Sequence, residues 1–165
     1  MSILLFSRPV HSGKTTALMQ WCSGQSSILG ILMPDMNGRR MIMNIKTQEV
    51  FDIECPDISH NTEPLITVGR FHFYSAAFEK ANSMLEDALR QYPRWLIIDE
   101  AGKLELDKKG FYTSIVNAVK KYDHATGEYN LLITVREDLC SEVISFFNMT
   151  HYRVVHHAGE LLTHA

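Results

Sequence analysis

Several absences narrow the field before any motif is read. The chain has no basic tract. Sixteen Lys and Arg against 19 Asp and Glu leave a net charge of −3, which argues against a nucleic-acid partner bound through a general cationic surface. No stretch approaches the roughly 18 apolar residues of a membrane helix, and Met1–Phe6 has no basic leader and too short an apolar run for a signal peptide. No membrane partner is expected. Cysteine is scarce: Cys22, Cys55 and Cys140 are odd in number, far apart and without a Cys-x-x-Cys pair. They read as reduced, mostly structural thiols of a cytoplasmic protein. Internal repeats and low-complexity tracts are missing too. What remains is ordinary, with 45% apolar and 21% charged residues in 165, the composition of one globular domain spanning 1–165. An anionic ligand would have to be held locally, by a few lysines and backbone N–H groups.

Apolar runs alternate with helix-like segments. Ile3–Ser7, Ile28–Met33, the run ending at Asp99, Leu131–Val135 and Tyr152–His156 read as strands. Helices are expected from Gly13 to Ser23, with Ala17, Leu18 and Trp21 inward, from Ser75 to Pro93, from about Asp107 to Lys121, and around Val143–Phe147. Asn37-Gly38 marks a tight turn. Met41–Thr47 and Glu49–Cys55 then read as a β-meander inserted at about 34–55, and Leu65–Phe73 as a further extended stretch. Strands alternating with helices imply an α/β chain with a mostly parallel sheet covered on both faces. Residues 158–165 are expected to fray.

The first chemically loaded segment is Arg8-Pro9-Val10-His11-Ser12-Gly13-Lys14-Thr15-Thr16. Against G-x-x-x-x-G-K-[ST], its last three positions match and Arg8 replaces the first glycine. Gly13 would let the backbone approach phosphate oxygens. N–H groups at the helix start would cradle a β-phosphate. Lys14 would add a charge between β- and γ-phosphates, and Thr15 a hydroxyl toward Mg²⁺. Pro9 can rigidify the turn that lacks its glycine. The plain alternative is a glycine that merely begins a helix. Position favours the phosphate loop, because the segment follows the first strand and precedes an amphipathic helix.

The second is Asp99-Glu100, after the apolar run Trp95–Ile98. Open α/β sheets bind ligands at the carboxyl ends of their strands, so these acids should face the same crevice as Lys14. Asp99 would hold Mg²⁺ through a coordinated water, and Glu100 would orient or deprotonate an attacking water. Alone, the pair reads as a solvated acidic turn. With Gly13-Lys14-Thr15 it points to a nucleoside triphosphate.

Asp99-Glu100-Ala101-Gly102-Lys103-Leu104-Glu105-Leu106 resembles the Asp-Glu-Ile-Gly-Lys-Met-Glu-Leu signature of the small nucleoside-triphosphatase family typified by thermophile enzymes. Gly30–Arg40 and Val68–Phe73 with Ala76–Glu79 are similar to two further family segments, so the likeness runs over roughly residues 2–140. It implies a P-loop NTPase three-layer sandwich and Mg²⁺-dependent hydrolysis of ATP, GTP and other nucleotides to diphosphate and phosphate. Lys14, Thr15, Asp99 and Glu100 carry over directly, and Lys103 matches a family position without an assigned role. The family loop is usually Gly-Pro-Pro-Gly-x-Gly-Lys-Thr; here Arg8 and His11 stand in for glycines.

Other readings stay open. Arg136, after Leu131–Val135, could reach a γ-phosphate or pair with Glu137 or Asp138. Arg39-Arg40, beside the expected turn, could grip a nucleotide or a partner, with a solvated hairpin tip as the plainer reading. His156 and His157, adjacent on a strand, would point to opposite faces and make poor joint ligands, and His164 stands apart. Arg8 and His11 motivate a second function, a nucleotide-binding module without hydrolysis. A small-molecule kinase is a third, against which stands the lack of an arginine-rich lid after Asp99. Base preference and pathway are not encoded legibly, and self-association as a homo-oligomer stays open.

Overall fold

Alternation decides the layout of the sheet. In a strand, successive side chains leave on opposite faces, and β1 (Ile3–Arg8) buries residues in both directions. Ile3 and Leu5 join one core, while Leu4 and Phe6 join another. β8 (Trp95–Ala101) and β9 (Asn130–Arg136) divide in the same way, with Leu96, Ile98, Leu131 and Ile133 on one face and Trp95, Ile97 and Leu132 on the other. A strand with two buried faces must be a near-continuous apolar run, and it settles in the middle of a parallel sheet.

The computed structural model describes residues 3–9, 11–125, 128–157 and 159–161. With β2 (Ile28–Leu32) and β10 (Tyr152–Val155), the strands just given stand in the parallel order β10-β1-β9-β8-β2. The larger core lies under α2 (Ser75–Gln91) and α4 (Tyr112–Tyr122), which bury Ala77, Phe78, Ala81, Ile115 and Ala118. The smaller lies under α1 (Lys14–Ser23), where Trp21 meets Trp95 edge to face at 4.8 Å. The layers are helix, sheet and helix, and the sheet is mostly parallel, as the alternation implied. Gly30 shows how closely its strands lie: a Cβ there would sit 2.0 Å from the Ile97 carbonyl oxygen. No helix among the described residues is long and apolar enough to cross a membrane.

The inserted section adds antiparallel strands to the edge beyond β2. Short β3 (Asp35–Met36) turns through Asn37 and Gly38, with φ of 57° and 76°, into β4 (Arg39–Asn44). Positive φ at both central residues is the type I′ hairpin geometry that Asn-Gly favours. β4 pairs with β2, and β5 (Val50–Asp52) with β4. The β4 strand stops at Asn44, short of the expected Thr47, because the Asn44 side-chain oxygen accepts the Lys46 and Thr47 N–H groups and closes a turn.

Three other boundaries differ from the sequence reading. Leu65–Phe73 is a hairpin rather than one extended stretch. β6 (Leu65–Val68) and β7 (Phe71–Tyr74) turn at Gly69, whose φ is 58°. The helix expected from Asp107 begins at Tyr112; a short α3 (Lys103–Leu106) precedes it, and positive φ at Lys108 and Gly110 interrupts the run. α5 (Cys140–Phe146) stands where a helix was expected, but β10 ends at Val155, so His156 and His157 lie beyond the strand. Of the tail expected to fray, only 159–161 are described, and Leu161 is buried against the α1 core. Val10 and His164 lie outside the described residues.

Candidate functional site

The carboxyl ends of β1, β8 and β9 lie together, and they set the site. In register, Arg8 pairs with Arg136 and Ala101 with Val135. β9 therefore stands between the strand that feeds the phosphate loop and the strand that ends in carboxylates. Thr134 of β9 bridges that gap: its hydroxyl donates to Asp99 Oδ1 at 2.6 Å, and its oxygen accepts the Glu100 N–H at 2.7 Å.

Gly13 precedes α1 with φ 76°, in the left-handed region where glycine is favoured, and turns the chain so that Lys14 opens the helix. Lys14 Nζ folds back onto the Arg8 and Pro9 carbonyls at 3.1 and 3.0 Å. Burial lowers its pKa, while Glu100 and Asp99 raise it and Arg8 and Arg136 lower it further. Ser12 Oγ is buried without a hydrogen-bond partner among the described residues. His11 is exposed with φ 57°, and Thr16 is exposed on the first helical turn.

Thr15 Oγ1 donates to Asp99 Oδ2 at 2.8 Å, across 84 positions of sequence. The same carboxylate oxygen accepts the Met33 N–H at 2.9 Å. Asp99, 1% exposed, is thus fixed from β9, from α1 and from the residue just past β2. A buried carboxylate needs this many donors.

Glu100 points differently from Asp99 because the strand is irregular there. Between Ile98 opposite Ile133 and Ala101 opposite Val135, β8 carries one residue more than β9. Glu100 takes φ 76°. A bulge of this kind re-aims a side chain, and it releases the Glu100 carboxylate from the ladder face. Arg40 Nη1 lies 3.2 Å from each of its oxygens. Burial raises the Glu100 pKa, opposed mainly by Arg40. Of the two readings open for Arg39-Arg40, the solvated tip does not describe Arg40, which reaches from β4 to Glu100, while Arg39 pairs with Asp52. Nothing local marks this, because it depends on β4 docking beside β2.

Arg136 is close but engaged. Its Nε and Nη2 donate to the two Asp138 oxygens at 3.0 and 2.6 Å, the ion pair that the sequence left open. A cleft of about 280 Å³ beside Glu100 is lined by Arg40, Phe71, Lys103, Phe111 and Arg136 among others.

Glu105 is a further residue the motif reading left without a role. It is 3% exposed, and its oxygens accept the Gly102 and Phe111 N–H groups at 2.8 and 3.0 Å. It ties down both ends of the segment after the carboxylate pair. Glutamate three positions after a helix cap was the available signal. Burial pushes its pKa up to about 7, against the pull of those backbone donors. A carboxyl raised above its unfolded value of 4.5 favours the folded state fully below that value and loses the advantage as pH rises through about 7. The expected loss between pH 4.5 and 7 is on the order of 3 kcal/mol. Glu105→Gln should flatten this slope and, by facing an amide NH₂ toward a backbone N–H, cost about 1–3 kcal/mol at low pH. Urea unfolding of both proteins at pH 5 and pH 8 measures it; parallel pH dependences would remove Glu105 as the source.

Asp123, His124 and His151 form a separate cluster. There Asp123 Oδ1 accepts the Thr150 and His151 N–H groups and Oδ2 the Thr150 hydroxyl, which fastens the end of α4 to the start of β10. All three cysteines are free and buried.

No protein-family model matches the chain, and no curated protein matches it. Among solved structures, THEP1 from the hyperthermophile Aquifex aeolicus is similar, with a TM-score of 0.68 at 21% identity over 94% of this chain and 89% of that one. Identity at this level speaks to the fold alone, and that fold is the α/β sandwich of P-loop NTPases.

Proposed function

We propose that the chain hydrolyses nucleoside triphosphates to diphosphate and phosphate, with Mg²⁺. The observation that carries this reading is the Thr15–Asp99 contact of 2.8 Å, which joins the phosphate loop to the carboxylate pair in one place. The donor set fits a hard cation, since both groups offer oxygen and Mg²⁺ is bound through few protein oxygens with the rest water and phosphate. Thr15 and Asp99 would hold it, and bound there it would neutralise charge on the β- and γ-oxygens. Ser12 Oγ, buried and unpaired among the described residues, is a ready donor for a phosphate oxygen.

The protein groups then divide the work. N–H groups at the start of α1 receive the β-phosphate. Lys14 leaves the loop carbonyls for the β- and γ-oxygens. Glu100, aimed off the strand by its bulge, orients the attacking water and accepts its proton. Arg8, Pro9, Val10, His11 and Thr16 complete the loop, with Arg8 and His11 where the resembled family has glycine. We place the protein in the cytoplasm as a single domain acting on soluble nucleotide.

A second reading, a nucleotide-binding module without turnover, draws on the Arg40–Glu100 pair, in which Arg40 engages both carboxylate oxygens. A phosphate-release assay with ATP and GTP in the presence of Mg²⁺ separates the two. Hydrolysis predicts steady release that EDTA abolishes. Tight triphosphate binding with no release over hours would establish the module instead.

A further inference from the structure

We propose that Arg40, carried on the inserted strand β4, leaves Glu100 for the γ-phosphate when a triphosphate binds, and there stabilises the charge that develops during transfer to water. The inference rests on the hydrolase reading and names a catalytic residue that neither the phosphate-loop motif nor the acidic signature contains.

Three features of the site assign the role to Arg40 rather than to Arg136. Arg136 is clamped by two separate nitrogens on the two Asp138 oxygens, at 3.0 and 2.6 Å, the fork geometry that makes a guanidinium–carboxylate pair strong. Arg40 approaches Glu100 through Nη1 alone, 3.2 Å from both oxygens. That is the long end of the hydrogen-bond range, weaker geometry than the two-point contact of Arg136, although the Arg136–Asp138 pair is the more exposed, at 35% and 59%. Arg40 is therefore the guanidinium that exchanges partners more readily.

Its backbone is anchored, and its side chain is held by Glu100 and the Phe71 face. The Arg40 N–H donates to Glu54 Oε2 at 3.2 Å, and its carbonyl accepts the Ile53 N–H at 3.4 Å. The guanidinium carbon lies 5.3 Å from the centre of the Phe71 ring, an aromatic face along which a cation can move without losing its contact. A triphosphate held by Lys14 would present γ-oxygens beside Glu100, more charge than the carboxylate offers. The transfer of Arg40 would at the same moment free Glu100 to take a water. The ligand itself would then release the base.

The test compares wild type with Arg40→Ala and Arg40→Lys, using Arg39→Ala as control because Arg39 pairs with Asp52 outside the site. In Arg40→Ala we expect kcat to fall about 100-fold or more, with ADP affinity within about threefold of wild type. Affinity for the ADP–aluminium fluoride complex should fall with kcat. Lysine should restore little, lacking the planar fork, and added guanidinium ion should restore part of the rate. A kcat equal to or above wild type in Arg40→Ala would overturn the proposal, as would parallel losses in ADP and ADP–aluminium fluoride affinity. If wild type itself releases no phosphate, the hydrolase reading fails and Arg40 is judged by binding alone. In that case the ratio of ATPγS to ADP affinity must drop in Arg40→Ala, and an unchanged ratio refutes the contact.

Discussion

Glu100→Gln is expected to keep triphosphate affinity near wild type and to lower kcat by about two orders of magnitude or more. Glutamine preserves the shape of the side chain and an oxygen that can still accept from Arg40, so the local fold should not shift. What it removes is the proton acceptor. The carboxylate stands just past Asp99, turned out of the ladder by one extra residue in β8, with its backbone N–H on Thr134. In the proposed mechanism that placement serves to position water. Single-turnover phosphate release measured beside equilibrium binding separates the two effects. Turnover at the wild-type rate would take Glu100 out of the mechanism.

Lys14→Ala should show the opposite pattern, weakening triphosphate binding by about 100-fold or more while the protein stays folded. The ammonium satisfies two loop carbonyls, those of Arg8 and Pro9. Both lie near the surface and can take water instead, so the stability cost should stay within about 1 kcal/mol. Binding has no such substitute, because a chain of net charge −3 has no general cationic surface to hold a polyphosphate. Calorimetric titration with ATPγS, alongside thermal melting, reads both quantities. Wild-type affinity in the variant would place the phosphates somewhere other than the start of α1.

The parts of the molecule that were legible in the sequence are those whose physics is local. Ile3–Phe6 and Trp95–Ile98 are continuously apolar because both faces of a central strand are buried, and composition shows this directly. Gly13-Lys14 and Asn37-Gly38 carry their backbone requirement in their residue types. What stayed hidden depends on partners distant in sequence. Arg40 looked solvated until β4 docked beside β2 and brought it to Glu100. Thr134 is unremarkable within Leu131–Val135, yet it joins Asp99 and Glu100 because β9 lies between β1 and β8. The helix start moved from Asp107 to Tyr112 because Glu105 holds the Phe111 N–H and Gly110 turns the chain at φ 60°. The hairpin at Gly69 was missed because both of its arms are apolar and no Asn-Gly marked the turn.

The most direct measurement is a crystal structure of the protein with a non-hydrolysable triphosphate and Mg²⁺. The account predicts a β-phosphate seated on the N–H groups at the start of α1, with Lys14 Nζ moved from the Arg8 and Pro9 carbonyls onto phosphate. The cation should lie beside Thr15 and Asp99, and the γ-phosphate should face Glu100. A triphosphate bound away from this crevice, with Lys14 still folded onto its loop carbonyls, would contradict it.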